Sequence, residues 1–226
     1  MKNYFTKYEK VLWVASVILI LLSFIIFDRE NYLTLTASLV GATALIYCAK
    51  GNPVGQVLMI IFCLIYGWIS YTFKYHGEVL TYICMTLPMA IIGLISWLRN
   101  PFRGNHAEVT VSSVTKKDVA VMSILTILVT SIFYFVLKYL GTANLLVSTI
   151  SVTTSFIAVF LSYKRSPYFA LGYAFNVIVL IILWSLACIV DISYLSVVIC
   201  FIVFLVNDLY GFYNWRKMLK RQSDSN

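Results

Sequence analysis

Eight long apolar runs, separated by short polar connections, constrain this chain more than any other feature. They cover residues 11–27, 33–49, 54–72, 78–97, 118–138, 143–163, 168–190 and 193–215. A helix needs about 20 apolar residues to cross a hydrocarbon core of about 30 Å. The runs are continuous, not alternating, so they predict helices and exclude a β-barrel. Composition agrees: 61% of residues are hydrophobic and only 12% charged. Soluble chains are about half apolar and about a quarter charged. The fold class is therefore an all-α integral membrane protein with eight transmembrane helices.

Charge orients the spans. With eight crossings both termini share a face, and 14 of the 17 Lys and Arg fall on it. Only Arg29, Lys74 and Lys138 fall on the other. This asymmetry assigns both termini to the cytoplasm of a cell-membrane protein. The net charge of +8 is thus topological, and no basic patch with interleaved aromatics points to nucleic acid. Lys2, Lys7 and Lys10 precede the run Val11–Phe27, which ends at Asp28-Arg29-Glu30 and not at a small-residue cleavage site; it reads as a retained span.

Two segments look alike. One runs from Pro53 to Gly93-x-x-x-Trp97, the other from Pro167 to Gly211-x-x-x-Trp215, with the glycine 40 and 44 positions after the proline. Each holds two spans and precedes a basic cluster. With the preceding span added, they form parallel three-helix units, and transporters built from such repeats place substrate at the repeat interface. The expected organisation is an extra N-terminal helix over 1–30 and a three-helix bundle over 31–98. A cytoplasmic loop over 99–117 and a linker helix over 118–140 follow. A second three-helix bundle covers 141–216, and a basic, disordered tail covers 217–226. The loop stretch from Glu108 to Thr115 has strand character.

Polar residues at membrane depth mark functional candidates. Asp208 beside Asn207 in span 8 is the clearest, with Asn176 its counterpart in span 7. Each asparagine lies eight residues from its helix end, at about 12 Å depth, so the two are expected to form a polar ring. Trp184 in span 7, and Tyr66 and Trp68 in span 3, are candidates for stacking on a flat heterocycle. Tyr82 and Thr86 share a face of span 4 and offer hydroxyls to a central path, and Pro88 predicts a kink there. Glu78 reads as a solvated helix-start carboxylate. Trp13, Trp97 and Trp215 read as interfacial anchors.

Enzyme chemistry is poorly served. His76 and His106 both lie in loops. No HExxH, GxSxG or Gly-rich phosphate loop occurs. Cys48, Cys63, Cys84, Cys188 and Cys200 lie in apolar runs without metal-ligand spacing. No catalytic residue, metal or cofactor is assigned.

From about Thr34 to Met218 the chain resembles the PnuC family of nicotinamide riboside transporters. The residues carrying this are Tyr66-Gly67, Tyr75-x-Gly77-Glu78, Pro88 with Gly93-x-x-x-Trp97-x-x-Asn100-Pro101, and Phe204-Leu-Val-Asn207-Asp208-x-Tyr210-Gly211-Phe212-x-x-Trp215. The resemblance implies a SWEET-like arrangement of three, one and three helices. It also implies facilitated diffusion of a pyridine nucleoside, trapped inside by a separate cytoplasmic kinase. The family's tryptophans in span 7 are replaced by Phe169 and Gly172, and Ala90 stands near its span-4 amide. Tyr173 and Trp184 are then the stacking residues. The expected substrate-binding set is Asn176, Trp184, Asn207, Asp208, Tyr210, Tyr173, Tyr82, Thr86 and Trp68. Thiamine, riboflavin or a sugar on the same fold, and a non-transporting membrane scaffold or sensor, remain the alternatives. A homo-oligomer is compatible with this reading.

Overall fold

The computed structural model describes residues 4–72, 79–142 and 144–224. Lys2, Lys74, His76 and the resemblance residues Tyr75, Gly77 and Glu78 lie outside the described residues. Among the described residues eight helices are long and apolar enough to cross a membrane. They are α1 (Lys7–Phe27), α2 (Tyr32–Ala49), α3 (Val54–Thr72), α4 (Leu80–Leu98), α5 (Lys116–Tyr139), α6 (Leu145–Tyr163), α7 (Tyr168–Cys188) and α8 (Leu195–Ser223). The chain is a multi-pass membrane protein. Both termini lie on one face, called here the terminal face.

Six helices form a closed ring in the order α2, α3, α4, α6, α7, α8, with α8 returning to α2. The first span, expected outside the repeat, is tied in: α1 packs on both α2 and α8, and α5 packs on the outside of α6. Their starts are built alike. Thr6 and Glu9 form a capping box on α1, and Thr115 and Asp118 form one on α5. Each satisfies two orphan N–H groups at a helix start. Each box carboxylate then takes a lysine from the C-cap of the next helix: Glu9 pairs with Lys50 at 3.1 Å, and Asp118 with Lys164 at 2.7 Å.

The first half of α4, Leu80–Thr86, is π-helical and gives way to α-helix at Leu87. This π-helical segment comes just before Pro88, where the sequence predicts a kink. Proline has no N–H to donate, and the turn before it relaxes to a wider spacing. Thr86 Oγ1 donates back to Thr81 O at 3.0 Å within this turn. At Gly67 an added Cβ would lie 2.4 Å from Ile83, so glycine there lets α3 approach the π turn.

The terminal face is closed by aromatic rings. Trp97 and Trp215, expected as interfacial anchors, are each 0% exposed, with ring centroids 5.3 Å apart. Phe169 sits edge-on to both. Their indole bonds are equivalent. Trp215 Nε1 donates to Cys48 O at 2.8 Å, near the end of α2, and Trp97 Nε1 donates to Ser162 O at 2.9 Å, near the end of α6. One residue earlier on each donor helix, Asn214 donates to Ala49 O and Ser96 to Tyr163 O. These bonds fasten α8 to α2 and α4 to α6, satisfying carbonyls that a helix end leaves open.

Residues 99–117 hold a small hairpin, β1 (Pro101–Phe102) with β2 (Asn105–Val109). The strand expected over Glu108 to Thr115 therefore lies earlier, and the two share only Glu108 and Val109. The hairpin and its following segment bridge the two halves: Val109 N donates to Gly51 O and Ser112 N to Arg165 O. Gly51 and Arg165, the turn residues after α2 and α6, both have left-handed backbone (φ 66° and 57°). The tail expected to be disordered is helical through Ser223. Its buried Gln222 accepts from Val111 N and donates to Val109 O, and Arg221 pairs with Glu108.

Replacing Trp215 by phenylalanine keeps a ring in the layer but removes the indole bond to Cys48 O, which keeps the N–H of Gly51 as a donor. One hydrogen bond contributes about 0.5–1.5 kcal/mol. The expected result is a fall of a few degrees in the unfolding midpoint in detergent. Trp215→Ala is expected to fall at least twice as far, by adding a cavity.

Candidate functional site

The helix ring encloses a cavity of about 580 Å³. Its rim is formed by Leu140, Thr142, Val190 and Tyr194, at the face opposite the termini, and its floor by Tyr173 and Asp208. Below the floor, Tyr173 packs on Phe169, which abuts both tryptophans. The cavity is therefore closed toward the terminal face. Its volume falls within the about 300–1,000 Å³ of small-molecule sites.

Six of the nine expected residues line it: Asn176, Trp184, Asp208, Tyr173, Tyr82 and Thr86. Aromatic rings make up much of the wall. Trp184 is buried and packs on Tyr194 at 5.4 Å, and Tyr82 lies 6.0 Å from Phe62. Phe201 and Phe204 of α8 stand edge to face on the same wall.

The other three belong elsewhere. Trp68 is 61% exposed on the outer surface of α3, packed beside Tyr71, so it meets lipid. Tyr210 donates its hydroxyl to Glu9 at 2.8 Å, outside the central cavity. Asn207 points at α1: its Nδ2 donates to Ser16 Oγ at 3.0 Å and to Val203 O at 2.8 Å. Asn176 points instead at α6. The expected asparagine ring therefore does not form, because equal depth does not mean equal azimuth. One residue along a helix turns the side chain by about 100°. Asp208 thus faces the cavity while its neighbour faces α1.

Asp208 is 3% exposed, and no hydrogen bond or ion pair to it occurs among the described residues. Among the described residues no Lys or Arg lines the cavity. A carboxylate in such a position is costly unless a partner arrives.

Sequence reasoning missed the polar face of α6. Ser148, Ser151 and Ser155 line the cavity at spacings of three and four, one face of a helix. Asn176 Oδ1 accepts from Thr154 Oγ1 at 2.9 Å and from Ser151 Oγ at 3.3 Å. The hydroxyl of Ser155 makes no hydrogen bond among the described residues. The spacing was readable, but serine and threonine are common in membrane helices, where they bond their own backbone.

A membrane-embedded helix ring around a one-sided cavity, with an unpaired carboxylate and a hydroxyl face, defines a polytopic transporter for a small molecule. The comparisons narrow the class. A model of the family described as "Nicotinamide mononucleotide transporter" matches residues 31–217, and the chain belongs to that family. It is 25% identical over 223 residues to a protein of Neisseria mucosa named nicotinamide riboside transporter PnuC, covering 96% of this chain and 84% of that one. It is 24% identical over 216 residues to the protein of the same name from Haemophilus influenzae, covering 94% and 91%. A crystal structure titled as the vitamin B3 transporter PnuC shares the fold, with a TM-score of 0.82 at 24% identity over 96% of this chain and 94% of that one. The relatives are named as transporters, which points away from an enzyme.

Asp208→Asn removes the unpaired acid while keeping its shape. Sites built for ligands sacrifice stability, so the variant without ligand is expected to be more stable than the parent, by about 1 kcal/mol. Thermal unfolding in detergent measures it, and a lower midpoint would show that Asp208 has a structural partner.

Proposed function

We propose that this protein carries nicotinamide riboside, a flat pyridinium cation bearing a ribose, across the cell membrane. The observation that carries the reading is Asp208, an unpaired carboxylate in a cavity walled by Trp184, Tyr173 and Tyr82. A cationic ring is attracted to the carboxylate and to aromatic faces together. The hydroxyls of α6 and the amide of Asn176 suit the sugar and the carboxamide. The names of the relatives from Neisseria mucosa and Haemophilus influenzae agree with this cargo.

The same charge pattern speaks on phosphate. A phosphate adds up to two negative charges, and among the described residues the cavity offers it Asp208 and no Lys or Arg. A mononucleotide is therefore rejected. This supports facilitated diffusion with trapping: a separate cytoplasmic kinase phosphorylates the nucleoside, and the product cannot re-enter the cavity. The excess of Lys and Arg on the terminal face supports cytoplasmic termini, so the cavity opens outward.

The two-unit arrangement, SWEET-like with three, one and three helices plus an N-terminal helix, is part of the proposal. Its support is the pairing of contacts. Trp97 to α6 mirrors Trp215 to α2, and Asp118 with Lys164 mirrors Glu9 with Lys50. The last pair makes α1 and α5 counterparts, each a lead-in to one three-helix unit. Thiamine is the second reading, favoured by Asp208 because its thiazolium is also a flat cation; riboflavin, which carries no such charge, is not.

Uptake of labelled nicotinamide riboside into cells lacking their own transporter tests the proposal. Uptake is expected, with unlabelled nicotinamide mononucleotide competing at least about tenfold less well, and with Asp208→Asn reducing uptake by about tenfold or more. Trp68→Ala, on the lipid surface, is expected to leave uptake unchanged. Absence of uptake for both nicotinamide riboside and thiamine would sink the reading.

A further inference from the structure

Away from the central cavity, a second hollow of about 900 Å³ lies between the start of α1 and the last turns of α8. Its long wall is one face of α8: Val206, Leu209, Tyr213, Lys217 and Arg221 line it at spacings of three and four. Across from them Tyr8 of α1 packs on Tyr210 at 5.2 Å. The chemistry changes in order along that face. Val206 and Leu209 are about half exposed at membrane depth. The tyrosines follow one turn later, and the basic residues come last. From Val206 to Arg221 the helix rises about 22 Å. That is the depth of one leaflet, half of a bilayer about 40–45 Å thick with its headgroups. Charge at the terminal-face end is unbalanced. Lys50 pairs with Glu9, and Arg221 with Glu108. Lys217 is left over, with no ion pair or hydrogen bond among the described residues. The described lining therefore sets three cations, Lys50, Lys217 and Arg221, against two acids.

We propose that this groove binds one anionic phospholipid from the leaflet on the terminal face, with its phosphate at Lys217 and Arg221 and an acyl chain along Val206 and Leu209. Basic pockets between transmembrane helices hold anionic headgroups in this way. The order of the wall is the order of the molecule: chain, glycerol, phosphate. Tyr210 and Tyr213 fall at the level of the glycerol, where tyrosine is enriched in membrane proteins. A free phosphate or a nucleotide would use the basic end and leave the apolar length of the groove idle. A zwitterionic lipid carries its own cation and leaves the surplus charge of the wall unbalanced. Tyr210, expected in the substrate set, lines this groove instead and ties it to Glu9 through its hydroxyl. Binding here is independent of the cargo, so its failure would leave the transport reading untouched.

The test titrates the whole protein, stripped of lipid in a neutral detergent, with phosphatidylglycerol or with phosphatidylcholine of the same chains. Native mass spectrometry counts the lipid bound. One phosphatidylglycerol is expected to bind, at least about fivefold more tightly than phosphatidylcholine. Lys217→Ala is expected to weaken phosphatidylglycerol by about fivefold and to leave phosphatidylcholine unchanged. Lys217→Gln, which keeps part of the apolar stem, is expected to do the same. Lys117→Ala removes an equally exposed charge at the start of α5, outside the groove, and is expected to change neither. Glycerol 3-phosphate, a headgroup without chains, is expected not to displace the lipid. Equal binding of the two lipids overturns the proposal, as does unchanged phosphatidylglycerol binding in both Lys217 variants. Equal losses in Lys217→Ala and Lys117→Ala overturn it too, by showing general attraction to a basic surface. Displacement by glycerol 3-phosphate overturns it in favour of a site for a free anion.

Discussion

Two indole N–H bonds hold the architecture together where it matters for the cavity. Trp215 ties α8 to the last turn of α2, and Trp97 ties α4 to the last turn of α6. Each bond spans the join between the first and second halves of the chain. In lipid there is little hydrophobic force between helices, because their surroundings are as apolar as their side chains. Buried hydrogen bonds and ring packing must then close the ring. Both tryptophans are fully buried, and they place the bulkiest side chains in the fold under the floor of the cavity. The same contact that fastens the halves therefore seals one end of the path. Any motion opening that end must separate α2 from α8 and α4 from α6 at these bonds, and the hairpin that joins Gly51 to Arg165 lies across both joins.

The cavity is the place where the bundle departs from the rule that buried charge is paired. Elsewhere the described carboxylates at helix starts are satisfied with care. Glu9 accepts from Thr6 N, Lys50 and Tyr210, and Asp118 from Thr115 and Lys164. Asp208 has no such company. The contrast is informative because the protein shows at Glu9 how it neutralises a buried acid when structure alone is at stake. That contrast, at nearly equal burial, is the support for the cationic cargo proposed above.

Much of the fold was legible because the bilayer sets lengths. Apolar run length gave all eight spans. Azimuth was not legible. A helix with lipid on one side and apolar core on the other is apolar all round, so its sequence has no strong polar face to phase it. Asn207 and Asp208 show the consequence: adjacent in sequence, they were read as one polar site, yet one binds Ser16 of α1 and the other faces the cavity. Trp68 fails for the same reason, since depth alone cannot tell the lipid side of α3 from the inner side. Trp97 and Trp215 were misread in the opposite sense. Tryptophan near a helix end is ordinarily interfacial, and only the third ring, Phe169, together with the cover from Val109 and Met218, makes the position a core.

The hydroxyl face of α6 went unread for a different reason, and it bears on how such a site is kept specific. Serine and threonine are cheap at membrane depth because each can return its proton to a carbonyl one turn back, as Thr149, Thr153 and Thr154 do. They therefore carry little signal. The same property lets a hydroxyl switch between its own helix and a neighbour without stranding a donor. Around Asn176 this places the hydroxyls of Ser151 and Thr154 within hydrogen-bond distance of Oδ1. A charged residue in their place would be costly whenever the cavity emptied. A purely apolar wall would leave the amide oxygen without a donor. Hydroxyls lie between these limits, which suits a carrier that must bind its cargo from one face and release it to the other.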